Sequence, residues 1–440
     1  MTDDSELPPQ VGEWPPRRPQ TQESNAWRGL MLLSIGVFAF TVAAWIYWQD
    51  DRVPPEETLQ LDREVEDSPR PAAMNRMRTV LASVAPVYKP NLATVPPWLW
   101  ATPDLSTTND QNGIARENLR DLLSEADWHP RGKAWFEEDL GIHGAWTSLV
   151  IVKQVEAAYL MRRGEEEAAF RAAIDIVRLA ARIRQIPAWP SYYERSLQMV
   201  ERGCQSLADL LKNSKLASAR LLAFQDEFIK YAPSDKELST ALSHWYLFEK
   251  KLMLGPESRE APDTLPGGVV FERPGRLFFK PNRTLALFVR SFQDLRDEAD
   301  KAPYSRSSQA SQRVSRIGSR PGLPNSQGEA YFARRFGPYL ELPERQSIAR
   351  AQHLVVATIF AIRRFHAEYG RLPPNLVNLR SDYIKDLPLD PFSGEPLNYD
   401  FVTRVVSSVG TNFVKDANVR PADPPLANPR EIAAQASTDR

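Results

Sequence analysis

The apolar positions of this chain follow three patterns. From Gly29 to Trp48 they run without a charged residue, GLMLLSIGVFAFTVAAWIYW. From Ala145 to about Leu254 they recur at helical spacing between short polar breaks. Near the C-terminus, Pro396–Tyr399 and Arg404–Val409 read as two strands of a hairpin.

The first pattern predicts a transmembrane helix over residues 27–48. Its 20 uncharged residues, at about 1.5 Å of rise each, span about 30 Å, the thickness of a bilayer's hydrocarbon core. Arg28 bounds one end, and Asp50, Asp51 and Arg52 the other. Trp27 stands at the first interface, and Trp45, Tyr47 and Trp48 at the second, the depth that amphipathic rings prefer. A cleaved signal peptide is the rival reading, with Val42-Ala43-Ala44 as the cleavage site. The bulky aromatics that follow and the long leader argue for an uncleaved signal anchor. Arginines flank both ends, so charge barely sets the orientation. The asymmetry between the N-terminal tail and the far longer chain after the helix favours an N-terminus in the cytoplasm and the bulk of the chain in the periplasm. Residues 1–26, polar and Pro-rich, are expected to be a disordered tail. Residues 49–72 are expected to be a charged, proline-punctuated stalk.

The second pattern predicts a helical domain over residues 73–300. Asn75–Ala85 and Ala115–Ala126 read as helices, and Pro86–Pro103 as an extended loop. A strong helix starts at Ala145 and closes at Arg162-Arg163-Gly164, basic residues in its last turn and glycine just past it. Glu165-Glu166-Glu167 open the next, which ends at Pro187 and Pro190. Helices over Tyr192–Lys212 and Ala217–Tyr231 follow, and a capping box, Ser234-Asp235-Lys236-Glu237, opens a fifth. Short connections between these helices imply antiparallel neighbours, a bundle or an array. Residues 255–275 read as a loop and Asn282–Asp300 as a helix. Residues 301–328, rich in Ser, Arg and Gly, are expected to be a flexible linker.

The rest, residues 329–416, reads as a small α/β module, followed by a disordered tail over 417–440. Its helix, Glu344–Tyr369, carries Ile348, Ala351, Leu354, Val355, Ile359, Ile362, His366 and Tyr369 on one apolar stripe. Gly370 ends it, and Pro373-Pro374 prevent its continuation. After the helix come Pro388, Asp390, Pro391, Phe392 and Gly394 in a turn, then Tyr399, then Ser408 and Gly410. This order resembles the C-terminal half of the type II secretion major pseudopilins, over some 70 residues of the chain. In that family a long helix is followed by a G-x-x-P turn, a P-x-D-P-aromatic turn, a tyrosine strand and an S-x-G strand end. The whole chain also resembles a loose group of uncharacterised bacterial envelope proteins that join an N-terminal anchor, a helical body and this same ending. The resemblance implies a place in the bacterial inner membrane and supplies no reaction. Two departures bear on it. The apolar helix lacks the Gly-Phe-Thr-Leu-x-Glu processing signal of pseudopilins, which argues against assembly through that helix. Their calcium loop is represented here by Thr411–Asn418, where Asp416 and Asn418 are poor calcium candidates beside Lys415.

Composition narrows the function classes. With 42% hydrophobic and 25% charged residues the chain is globular in type, and its net charge of −1 gives no general attraction to nucleic acid. The single cysteine, Cys204, allows no intrachain disulfide and reads as a small buried side chain. None of the 5 histidines stands in a metal-binding spacing. Glu137, Glu138 and Asp139 could serve acid–base chemistry, but such a run is ordinarily a solvated helix face. No cofactor is expected. The expected protein is therefore mainly α, a single-pass envelope protein that meets lipid through residues 29–48. The function expected is to scaffold or bind an envelope protein partner. The alternatives are an accessory of a type II secretion or pilus-like system, and an envelope hydrolase whose site emerges only in the fold.

Overall fold

A computed structural model describes residues 23–49, 72–85, 95–124, 143–185, 190–254, 264–265, 269–270, 279–299, 301–306, 309–319, 325–402 and 404–410. The chain divides into two compact units, one ending at Arg52 and the other starting at Val53. The first holds helix α1, Glu23–Gln49. The second is mainly helical, with two small antiparallel sheets of two strands each.

The second unit opens with α2 (Ala72–Ala82), α3 (Thr102–Gln111) and α4 (Gly113–Ser124). Then come α5 (His143–Arg162), α6 (Glu166–Arg184), α7 (Pro190–Asn213), α8 (Ser218–Ile229) and α9 (Asp235–Leu254). Local chemistry sets their ends. Gly164, at φ 78°, closes α5 with paired backbone bonds, Glu165 N–H to Leu160 O and Gly164 N–H to Met161 O, both 3.0 Å. Pro190 begins α7 rather than ending α6, since a proline at the first helical position lacks an N–H that would have no partner anyway. The capping box at α9 is reciprocal: Glu237 N–H donates to Ser234 Oγ at 3.3 Å, and Ser234 N–H to Glu237 Oε2 at 3.1 Å.

Helices α5, α6 and α7 pack successively against one another. The α6–α7 crossing is close because Gly203 has no side chain there; a Cβ at that position would meet Val177 Cγ2 at 2.5 Å. Helix α3 packs on α5, burying Leu105 beside Trp100, Val155 and Ala158. Its first two residues, Thr102 and Pro103, fall within the stretch expected to be an extended loop.

Strands β1 (Thr264–Leu265) and β2 (Val269–Val270) pair within the segment expected to be a loop. Helix α10 (Pro281–Ala299) follows and packs on α9. Residues 301–328, expected to be a linker, carry helix α11 (Gln309–Ser319) and the start of α12 (Ser326–Phe336). Ala310, buried, with Val314 and Ile317 at helical spacing behind it, packs α11 into the core, so low apolar content did not prevent folding onto α10 and α12. Phe332 and Phe336 of α12 meet Phe288 and Phe292 of α10, with ring centroids 4.9 to 6.0 Å apart.

Helix α13 (Leu342–Tyr369) is the spine of this unit. It packs on α7 and α8 and also against strand β4 (Val405–Ser407), which pairs with β3 (Asn398–Asp400) in the register Tyr399↔Val406. The single apolar stripe expected of this helix is too narrow. Gln352, His353, Val356, Phe360 and Ala361 are buried as well, because the helix has neighbours on several sides, while Tyr369 is exposed. One hydrophobic core runs from Met77 to Val406, so the helical body and the C-terminal segment share it.

Candidate membrane segment and C-terminal turn cluster

Helix α1 presents its apolar side chains bare. Leu30, Leu33 and Phe38 are 63, 68 and 72% exposed, and Trp27 and Trp45 are 78 and 60% exposed. Its stretch Trp27–Trp45 is long and apolar enough to cross a membrane and is wholly unburied. The polar Thr41 is satisfied internally, its Oγ1 donating to Val37 O at 2.7 Å. Arg28 is exposed. Trp48 lies on the helix, and its side chain falls outside those described.

The sequence motif of the C-terminal segment gathers around one buried carboxylate. Asp390 is 1% exposed. Its Oδ1 accepts from Phe392 N–H and from Ser408 Oγ, both at 2.9 Å, and its Oδ2 accepts from Val409 N–H at 2.6 Å. The backbone closes the same turn: Asp390 N–H donates to Glu395 O and Gly394 N–H to Asp390 O, both at 2.8 Å. Pro391 fixes φ at the residue after the carboxylate, as a turn requires. Gly394 and Gly410 take φ of 72° and 70°, which glycine adopts without strain. Gly410 N–H reaches Ser408 Oγ at 3.1 Å. Asp390, Phe392, Gly394, Ser408 and Gly410 thus form one knot.

The remaining motif residues lie at the other end of the segment. Gly370, at φ 66°, caps α13 with its N–H on His366 O at 2.9 Å. Tyr399 Oη donates to Pro373 O at 3.0 Å, tying the hairpin to the turn that follows the helix. Burial raises the Tyr399 phenol above its ordinary pKa, which keeps the proton in place for that bond. The calcium candidates Asp416 and Asn418, like Glu137, Glu138 and Asp139, lie outside the described residues.

Titratable groups in the core are consumed by the fold. Glu249, wholly buried, receives Arg335 Nη2 at 2.7 Å, Tyr339 Oη at 3.0 Å and Tyr331 Oη at 3.4 Å. Burial, the largest single effect, lowers the Arg335 pKa, but the Glu249 charge, the two tyrosines and the hydrogen bond to Glu249 together outweigh it and raise the pKa. Lys153 bridges Glu156 at 2.6 Å and Asp175 at 2.9 Å, and Arg116 meets Glu156 from α4 at 3.1 Å. His353 stacks on Phe228 at 3.8 Å with Nε2 3.0 Å from Phe228 O, and burial lowers its pKa to about 3. Burial likewise lowers His244 to about 4. These are neutral core imidazoles. Cys204 is buried, and burial pushes its thiol up, away from the reactive thiolate. Among the described residues, no group of three or more His, Cys, Asp or Glu could hold a metal ion.

A cleft of about 490 Å³ lies where the end of α10, Pro303, Arg306, Ser311 and the first turn of α13 meet Phe392. Glu298, Glu341, Glu344 and Arg306 line it. Arg306 is committed to the wall, donating to Glu298 O and Pro343 O at 2.9 Å and to Ser347 Oγ at 3.0 Å. Sequence reasoning missed this junction because only the fold brings the neighbouring segments at Leu295, Pro303 and Ser311 together with the start of α13 and with Phe392, far along the chain. Compared with family models, curated proteins and solved structures, the chain matches none.

Proposed function

We propose that this chain is a membrane-tethered scaffold of the bacterial envelope. Helix α1 crosses the inner membrane with the N-terminus in the cytoplasm, and the body, in the periplasm, binds other envelope proteins. The observation that carries the tether is the bareness of α1, whose apolar side chains from Trp27 to Trp45 are uncovered. Apolar surface left in water costs about 25 cal/mol per Å², and a bilayer removes that cost. The tryptophans at both ends support the placement, since indole rings favour the two interfaces.

The binding role is supported by the apolar residues that the C-terminal segment leaves uncovered. Val377, Leu389 and Val402 are 62, 56 and 86% exposed. They suit a shallow protein–protein contact better than a substrate pocket. A second reading, an accessory of a type II secretion or pilus-like system, is favoured by the Asp390 knot, where several residues of the pseudopilin-like motif act together. Crosslinking in intact envelopes, followed by recovery of the full chain, tests both. Secretion components among the crosslinked proteins support the accessory reading. Other envelope proteins support the scaffold. Recovery of the chain alone contradicts both.

A further inference from the structure

We draw no further inference here: the strongest candidate, the cleft between the end of α10, Pro303, Arg306, Ser311 and the first turn of α13, has its apolar wall of Leu295, Pro343 and Phe392 already buried and offers a carboxylate rim with no second feature to show what it would bind.

Discussion

Ser408 donates its hydroxyl to the buried carboxylate of Asp390 at 2.9 Å, joining two turns 18 residues apart. The same carboxylate holds the N–H groups of Phe392 and Val409. Replacing Asp390 with Ala leaves all three donors without an acceptor, those of Ser408 and Phe392 in buried residues. Each orphaned donor costs about 1–3 kcal/mol, so D390A is expected to lose about 3 kcal/mol or more. S408A removes two bonds, the hydroxyl's own to Asp390 and that from Gly410 N–H to the hydroxyl, and is expected to lose about 1–3 kcal/mol. Denaturant unfolding of the full chain in detergent measures both, and a D390A midpoint equal to wild type would contradict the assignment.

Glu249 is wholly buried and the Arg335 side chain only 11% exposed, so removing one strands the other's charge. E249A and R335A are each expected to lose about 3–5 kcal/mol. The double replacement E249M/R335M takes both charges out together and is expected to lose less than either single variant. Thermal unfolding of the three variants checks the order; a double loss equal to the sum of the singles would show that the pair does not act as a unit.

The buried histidines set a pH dependence. His353 and His244 are held to about 3 and about 4, below the ordinary value of 6.5. The folded state therefore binds fewer protons than the unfolded chain below pH 6.5, and stability is lost as pH falls from there toward the folded values. His353 is expected to remove about 5 kcal/mol and His244 about 3 kcal/mol across that window. Asp209 opposes them: burial pushes its carboxyl up to about 6, so acid relieves its strain in the same range. Unfolding free energies at pH 7.5 and 5.0 for wild type and H353Q isolate one contribution. The variant is expected to show the smaller drop; equal drops would mean that His353 is not buried neutral.

Glycines divide by what surrounds them. At Gly203 a Cβ would strike Val177 Cγ2 at 2.5 Å, so G203A is expected to cost about 1–3 kcal/mol by overpacking. At Gly370 the space is open but φ is 66°, so G370A is expected to cost about 1 kcal/mol through backbone strain. At Gly113 nothing lies within 4 Å, φ carries no penalty, and G113A is expected to leave stability unchanged or slightly raised. Chemical denaturation ranks the three, and a G203A variant as stable as G113A would contradict the close α6–α7 crossing.

Much of the helical body is legible from sequence because its signals are local. The Ser234–Glu237 capping box and the glycine end of α5 each appear where the residues predict. Helix α3 is not legible: TPDLSTTNDQ has weak helix formers and only one large apolar residue, and its burial comes from α5. Helix α11 did carry a signal, Ala310, Val314 and Ile317 at helical spacing, hidden by the serines and arginines around it. Asp390 reads from sequence as a turn residue. Its role as a buried acceptor depends on Ser408 and Val409, which the hairpin folds back onto it. The Glu249 cluster unites α9 and α12 across more than 80 residues, a separation at which pattern carries no information.

The most direct test of the account is alkaline carbonate extraction of membranes that contain the full chain, beside a variant lacking residues 27–48. The full chain is expected to stay with the membrane pellet and the variant to move to the soluble fraction. A full chain released by carbonate, or a variant retained as firmly as wild type, would contradict a tether through α1.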